Sequence, residues 1–417
     1  MKFGLYNYGT RGDLQPFIAL AIGLKEKGHD VKLVCITPYP SDFSAYEREF
    51  GLTFEPVLTP DFYKNNPVSE YEQNKETQKI AQYYDSLFYS AHLGMRKLAQ
   101  DSDVIIAAAG AFEVHGYAQK YGKKMVNLCL QYHLIPSSTR KPKYIKEDKS
   151  IEEAWRDIEL HHAPQQAKIN TFRSHIGLLP LSSAYKETAY SSVLNLVGIS
   201  HVFCEKLKDG WDQTFKVCGY MNPPALESEQ KIPDSLDEFL ASGAPPAFFS
   251  MGSAAHFDEN PLKRFIIVID AMKVIGARVI VQCTDGEDIS DLCLNNKNIY
   301  VISGVAEHRK IMPKCSVIIH HGGTGTTHAA CLSGRPSIVL HYWGDMPDWA
   351  EDMKNIGVTC ETIHAHELTC EWLVEQLNKI LNNEAMLKTA MAVGKIMEKE
   401  QFISNAIKFL EDEFLTH

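Results

Sequence analysis

An apolar strand that runs into a glycine-containing turn and then into a helix recurs along this chain, and that alternation restricts the fold to parallel sheets covered by helices. Lys2 to Tyr8 reads as a buried strand, followed by the turn Gly9-Thr10-Arg11-Gly12. Phe17, Leu20, Ala21 and Leu24 then recur at helical spacing, Gly28 stands where that helix should stop, and Val31 to Ile36 is the next strand. Such a βαβ unit returns the chain to the same end of the sheet, which makes its strands parallel. The pattern comes back at Asp103 to Ala108 and at Met125 to Leu130. It starts afresh with a strand at Pro246 to Met251, a helix at Phe265 to Met272 and a strand at Arg278 to Gln282. Ile299 to Ser303, Ser316 to Ile319 and Ser337 to Leu340 read as the later strands.

Two series of alternations fit the length, since 417 residues are too many for one ordinary domain. Between them, Tyr220 to Pro233 carries Pro, Ser and Glu without a hydrophobic repeat and reads as a linker. The expected class is α/β, with two Rossmann-like domains facing each other across a cleft. The expected boundaries are 1–221 for the first domain, 222–239 for the linker and 240–396 for the second domain. A C-terminal helix over 397–417 has Ile403, Ile407 and Leu410 at helical spacing, and is expected to pack on the body of the protein. Residues 61–95 and 137–190 are polar and aromatic without a strong period, as insertions that shape a binding surface often are.

Composition narrows the partners. The chain has a net charge of -10, with 45% hydrophobic and 23% charged residues, a globular balance without the basic excess of a nucleic-acid binder. No apolar run approaches the ~18 residues of a membrane span, and the N-terminus lacks the apolar core of a signal peptide. The ten cysteines are scattered without zinc-like pairs, which reads as free thiols in a reducing cytoplasm. Asp101-Ser102-Asp103 precedes a strand and reads as a solvated helix end, so no metal site is expected. His133, which follows a strand, is a candidate for lining an acceptor pocket, although isolated histidines are more often structural.

The segment that carries chemistry is Val317-Ile318-Ile319-His320-His321-Gly322-Gly323-Thr324-Gly325-Thr326-Thr327. Its glycines let the backbone approach an anion, and the helix that follows, expected at His328 to Leu332, offers N–H groups and the positive end of its dipole. Thr324, Thr326 and Thr327 add hydroxyls, and His320 at the strand end can donate to a phosphate. A glycine turn kept for packing is the competing reading. Two adjacent histidines at the edge where α/β sheets bind ligands weigh against it.

His320 to Thr327, with Ser333-Gly334-Arg335-Pro336-Ser337 and Trp343-Gly344-Asp345-Met346-Pro347, resembles the signature of nucleotide-sugar-dependent glycosyltransferases. The resemblance is to family 1 enzymes of the GT-B fold, in the antibiotic and sterol branch, and Gly9 to Pro16 is similar to that branch's opening motif. It implies a UDP- or TDP-sugar donor, a small apolar hydroxylated acceptor and no cofactor. His320 and the backbone of Gly322, Gly323, Thr324, Gly325 and Thr326 would hold the donor diphosphate, with Ser253 at a second helix start beside it. Ser253 also reads as a plain N-cap. The backbone near Val305 and Ala306 would face the base, with His308 close by, and Asp345 would accept from sugar hydroxyls. Asp13 is the expected catalytic base, and it also reads as an N-cap before a helix whose first turn holds Pro16. Thr10 and Arg11 fall at the donor, and Arg11 is open between phosphate neutralisation and a surface pair.

The chain departs from that family at three places. Met346 stands where Gln is usual, Thr284-Asp285 where Gly-Trp is frequent, and Glu307 where Pro is usual. A thioether cannot replace the amide's donors, which points to a sugar lacking or masking one hydroxyl, or held there by backbone. The alternatives are a nucleotide-sugar epimerase, which lacks the Arg-Gly-Asp opening, and a non-catalytic sugar-nucleotide or lipid-binding relative. Aromatics from Phe43 to Tyr89 suit a flat apolar acceptor such as a polyketide, flavonoid, sterol or lipid, or else packed core.

Overall fold

The computed structural model of the chain describes residues 1–37, 43–54, 57–58, 94–142, 148–161, 163–205, 207–220, 222–227, 232–283, 289, 296–304 and 306–415. The chain forms two compact units. Met1–Phe62, Asn74–Pro224 and Glu400–His417 belong to the first, and Ala225–Lys399 to the second.

Among the described residues, the first unit is built on seven strands: β1 (Lys2–Tyr8), β2 (Asp30–Thr37), β3 (Val57–Leu58), β4 (Val104–Ala108), β5 (Lys124–Cys129), β6 (Leu194–Val197) and β7 (Phe215–Val217). They pair in the order β3-β2-β1-β4-β5-β6-β7, all parallel. Sequential winding runs outward in both directions from β1 and β4, so the topological switch lies between those two strands. Helix α1 (Arg11–Glu26) follows β1 and ends as expected: His29 N–H bonds the Leu24 carbonyl just past Gly28. It is buried nearly all round, with Phe17, Leu20 and Leu24 inaccessible. One side lies on the sheet and the other under the C-terminal helix, Phe402–Phe414, whose Ile403 and Ile407 seat over Gly23, where no side chain would fit. Each buried Ile or Leu there stabilises the unit by about 1.5–3 kcal/mol. The segment before that helix is pinned by Glu400, whose carboxylate accepts from Ser200 Oγ (2.7 Å), His201 N–H (2.8 Å) and Tyr220 N–H (3.3 Å).

The second unit carries six strands among its described residues: β8 (Ala247–Ser250), β9 (Val279–Cys283), β10 (Ile299–Ser303), β11 (Val317–His320), β12 (Ser337–His341) and β13 (Ile363–His364). Their order is β10-β9-β8-β11-β12-β13, all parallel, with the switch between β8 and β11. Alternate residues of these strands feed two clusters, one with Phe249, Val281, Ile319 and Leu340 and the other with Phe248, Ile280 and Ile318. Both sheet faces are therefore covered, as a parallel sheet requires.

Two expectations change, and one of two open readings is decided for three aromatics. The segment 222–239 is not all linker, because Asp234–Ala241 is a helix whose Leu236 is buried among Phe248, Ile280 and Ile318. The stretch 137–190 contains helices Ile151–His161, which buries Ala154 and Ile158, and Ala163–His175. Phe43, Tyr46 and Phe54 are packed core, Phe43 stacking on Phe54 at 4.7 Å. Phe62, Tyr63, Tyr83, Tyr84, Phe88 and Tyr89 lie outside the described residues. Among the described residues no helix is long and apolar enough to cross a membrane.

Candidate active site

In the second unit the chemistry gathers where β11 leaves the sheet. His320 is fully buried, and its Nδ1 accepts the Gly322 N–H at 3.1 Å. That bond places the ring proton on Nε2, which finds no partner among the described residues. Burial, then the neighbouring rings of His321 and His308, bring its pKa down to about 3. His320 is thus a neutral imidazole with one unspent donor.

The helix beyond it, α2 (Thr324–Leu332), begins four residues before the expected start at His328, so the glycine–threonine run is itself the first turn. Its N-cap is Gly323 and no side chain caps it. The first N–H groups of a helix have no intrahelical acceptor, and a helix end of this kind suits an anion. The three threonine hydroxyls divide. Thr324 Oγ1 donates to Asp345 Oδ2 at 3.0 Å and is spent, Thr327 is buried, and Thr326 stays half-buried.

Asp345 is the N-cap residue of α3 (Met346–Asn355), and the same Oδ2 also accepts the Trp349 indole N–H at 2.8 Å. Oδ1 takes no hydrogen bond from the described residues, leaving an acceptor for a ligand hydroxyl. Met346, the first residue of α3, is partly buried and packs against the apolar cluster of Phe249 and Leu340. Its side chain therefore already has an apolar environment in the protein.

The second turn at this edge follows β8. Ser250 pairs in register with His320, so the chain leaves the sheet at the same level. Ser253 lies in the 3-10 segment Gly252–Phe257, whose N-cap position is Met251, so the N-cap reading of Ser253 is corrected. The His321 ring is wedged between the two turns. A Cβ on Gly252, which has φ +52°, would lie 2.5 Å from its Cε1, and one on Gly323 would lie 2.4 Å from its Nε2. Sequence reasoning saw His321 only as a neighbour, because this wedge joins residues about seventy apart in the chain.

Ala306 is half-buried at the start of the helix His308–Ile311, and Val305 lies outside the described residues. Glu307 caps that helix through Arg309 N–H (3.1 Å) and pairs with Arg309 Nε (2.9 Å), which is what replaces proline there. His308 Nε2 donates to Gln282 Oε1 at 2.9 Å, and Gln282 Nε2 donates to the Gly304 carbonyl at 2.8 Å. Gln282 thus fixes the loop that carries Ala306, a role no motif announced. Thr284 and Asp285 lie outside the described residues.

Thr10, Arg11 and Asp13 belong to the first unit. The N-cap of α1 is Thr10, and Asp13 is the third helical residue, so Asp13 is not an N-cap and Pro16 falls in the second turn rather than the first. Asp13 Oδ2 accepts both Thr10 N–H (2.8 Å) and Thr10 Oγ1 (3.1 Å), the carboxylate arm of a capping box. Arg11 Nε lies 2.9 Å from the Gln15 amide oxygen in the orientation that satisfies that amide. Asn7, which is 1% exposed, donates to the Asp13 carbonyl at 2.6 Å. A lone Asn within an apolar strand gave no signal of this.

Elsewhere, Asp101 pairs with Lys32 at 3.6 Å and Asp103 accepts Lys2 N–H at 2.8 Å, the structural role expected of them. His133 is fully buried against Tyr132, at 4.1 Å between rings. That places it in the packed interior rather than on an accessible wall.

Known proteins place these features. Residues 3–114 match the glycosyltransferase family 28 N-terminal domain, and residues 267–403 match the erythromycin biosynthesis protein CIII-like C-terminal domain. A solved glycosyltransferase of kitacinnamycin has a TM-score of 0.74 at 17% identity, covering 99% of this chain and 98% of its own. The glycosyltransferase VinC, solved in complex with DTDP, gives 0.68 at 18% identity with 99% of each covered. Two parallel-sheet units of this kind define the GT-B fold. Among curated relatives, a sterol 3-beta-glucosyltransferase of Arabidopsis thaliana is 25% identical over 98% of this chain and 67% of its own length. The vancomycin aglycone glucosyltransferase of Amycolatopsis orientalis is 25% identical over 86% of this chain and 85% of its own. UDP-sugar-dependent glycosyltransferase 52 of Dictyostelium discoideum is 23% identical over 98% of this chain, which spans 26% of that protein. The chain belongs to the GT-B glycosyltransferases that use nucleotide sugars, in the branch of the antibiotic and sterol enzymes.

Proposed function

We propose that this chain is an inverting, metal-independent transferase that moves a hexose, plain or deoxygenated or otherwise modified, from a UDP- or TDP-sugar to a hydroxyl of a small apolar acceptor. One observation carries the reading: an uncapped helix start at Thr324 stands beside the unspent Nε2–H of a neutral, buried His320. A diphosphate leaving group needs donors and a favourable dipole that are already in place, so its charge develops without reorganisation. The backbone of Gly322, Gly323, Thr324, Gly325 and Thr326 surrounds that position in sequence, Ser253 adds a hydroxyl from the neighbouring turn, and Ala306 lies on the loop assigned to the base. Asp345 Oδ1 is the acceptor for a sugar hydroxyl.

The reaction is a single displacement. The acceptor oxygen bonds to the anomeric carbon as the bond from that carbon to the phosphate oxygen breaks, and Asp13 takes the acceptor's proton as this happens. Thr10 and Arg11 are assigned to the donor side of the first unit. The acceptor class follows the relatives, whose names specify sterol and antibiotic-aglycone glucosylation. A cytoplasmic setting fits the thiols, since none of the nine cysteines among the described residues is in a disulfide.

A panel of UDP- and TDP-sugars, incubated with and without sterol, flavonoid and polyketide acceptors, tests this by product mass and anomeric configuration. Acceptor-dependent product with inverted configuration is expected. Donor turnover to an epimer without acceptor would replace this reading with the epimerase.

A further inference from the structure

Two helices that leave adjacent strands of the second unit meet on a single carboxylate oxygen. Asp345 Oδ2 accepts Thr324 Oγ1 (3.0 Å) from the start of α2 and Trp349 Nε1 (2.8 Å) from the first turn of α3. Trp349 is itself fully buried, its ring edge-to-face with His328 at 5.2 Å. His328 is held in turn, its Nδ1 donating to the Thr324 carbonyl at 2.7 Å. The loop Trp343-Gly344-Asp345 stands near the surface, with Trp343 40% exposed, so without these bonds the Asp345 carboxylate would rotate freely about its side-chain torsions.

We infer that Trp349 is a positioning residue for donor-sugar recognition. Its buried indole N–H, with the Thr324 hydroxyl, consumes Oδ2 and fixes the torsion of Asp345 so that Oδ1 alone faces the sugar. The inference rests on the assignment of Asp345 to the donor sugar and adds a residue that never touches the ligand. It also gives the substitution at position 346 a consequence: with no amide beside it, sugar reading at this loop depends on how firmly Asp345 is aimed. The indole ring packs in any case, but only its N–H aims the carboxylate, so ring and N–H can be separated by experiment.

The test compares wild type with Trp349→Phe, and with a variant in which the indole of Trp349 is exchanged for benzothiophene, which keeps the bicyclic ring and puts sulfur in place of N–H. Asp345→Asn serves as the reference. UDP-glucose and TDP-glucose are the donors for KM, and free UDP and TDP are the ligands for calorimetric Kd. Losing a hydrogen bond to a carboxylate predicts a donor KM raised roughly tenfold in both Trp349 variants, with the Kd of the free diphosphate within about twofold of wild type. Should Trp349→Phe fail to fold, the benzothiophene variant alone decides. An unchanged donor KM, or a diphosphate Kd that rises in step with it, would overturn the inference when Asp345→Asn does raise KM. An Asp345→Asn variant with unchanged KM would sink the sugar-site reading and this inference with it.

Discussion

The two units present the same device, a parallel strand running through a glycine turn into a helix at the topological switch, and finish it differently. After β1, the start of α1 is closed by its own side chains: Asp13 turns back onto the N–H and hydroxyl of Thr10. After β11, the start of α2 begins at a glycine and carries no side-chain cap. An occupied helix end already has its negative charge, supplied by Asp13, whereas an open one attracts a charge from outside. On the proposed function, the closed junction supplies the carboxylate that acts as base and the open junction the donors for a diphosphate.

Asp13 is where a substitution should cost most. Asn keeps an acceptor for Thr10, so Asp13→Asn should preserve the fold and UDP or TDP affinity while lowering turnover by about a hundredfold or more. Turnover within a few-fold of wild type would mean that the carboxylate only closes the helix. On the open side, His320→Ala should weaken UDP or TDP binding by roughly tenfold to hundredfold, the scale of a hydrogen bond to a charged group. Calorimetry with unchanged affinity would remove the imidazole from the site.

The second unit should also respond to acid. His320, His321 and His328 of the second unit are buried with pKa values brought down to about 3, about 4 and about 4, chiefly by burial. Between those values and the unfolded value near 6.5, the unfolded chain binds more protons than the folded one, so stability falls as pH falls through that window. The cost is on the order of 1 kcal/mol per histidine per pH unit. Melting followed from pH 7 to pH 5 should drop, and His321→Gln, lacking one of these groups, should flatten the slope. A slope identical to wild type would contradict the burial argument at that ring.

The smallest effect is expected at position 346. Met346→Gln should shift preference toward a glucose nucleotide over a deoxy or N-acetylated donor by several-fold, read by mass from donors competing in one reaction. The side chain packs partly on the core, so a loss of stability of about 1 kcal/mol should accompany it. No change in the product ratio would show that position 346 does not read the sugar.

The sheet framework was legible because apolar strands and glycine turns are local signals: β1, β11 and β12 fall within a residue or so of their expected limits. Helix starts were less so. Gly325, Thr326 and Thr327 are poor helix formers, and only the surrounding packing makes them the first turn of α2. The helix Ile151–His161 hid because its buried face is narrow, resting on Ala154 and Ile158. The motif residues of the site could be named from sequence, whereas their supports could not. His321 between Gly252 and Gly323, and Gln282 under His308, are contacts between separate elements that no local pattern encodes, whereas Trp349 lies four residues past Asp345 in one helix and only its buried N–H reveals the role.

The open helix start at Thr324, more than the closed one at Arg11, is expected to receive the diphosphate. Selective nitrogen-15 labelling of glycine, threonine and arginine allows the backbone amides at both helix starts to be followed as UDP or TDP is titrated in. Large, saturable shifts at Thr324, Gly325 and Thr326, exceeding any at Arg11 and Gly12, are expected. Shifts concentrated at Arg11 and Gly12, with Thr324 to Thr326 silent, would contradict that expectation.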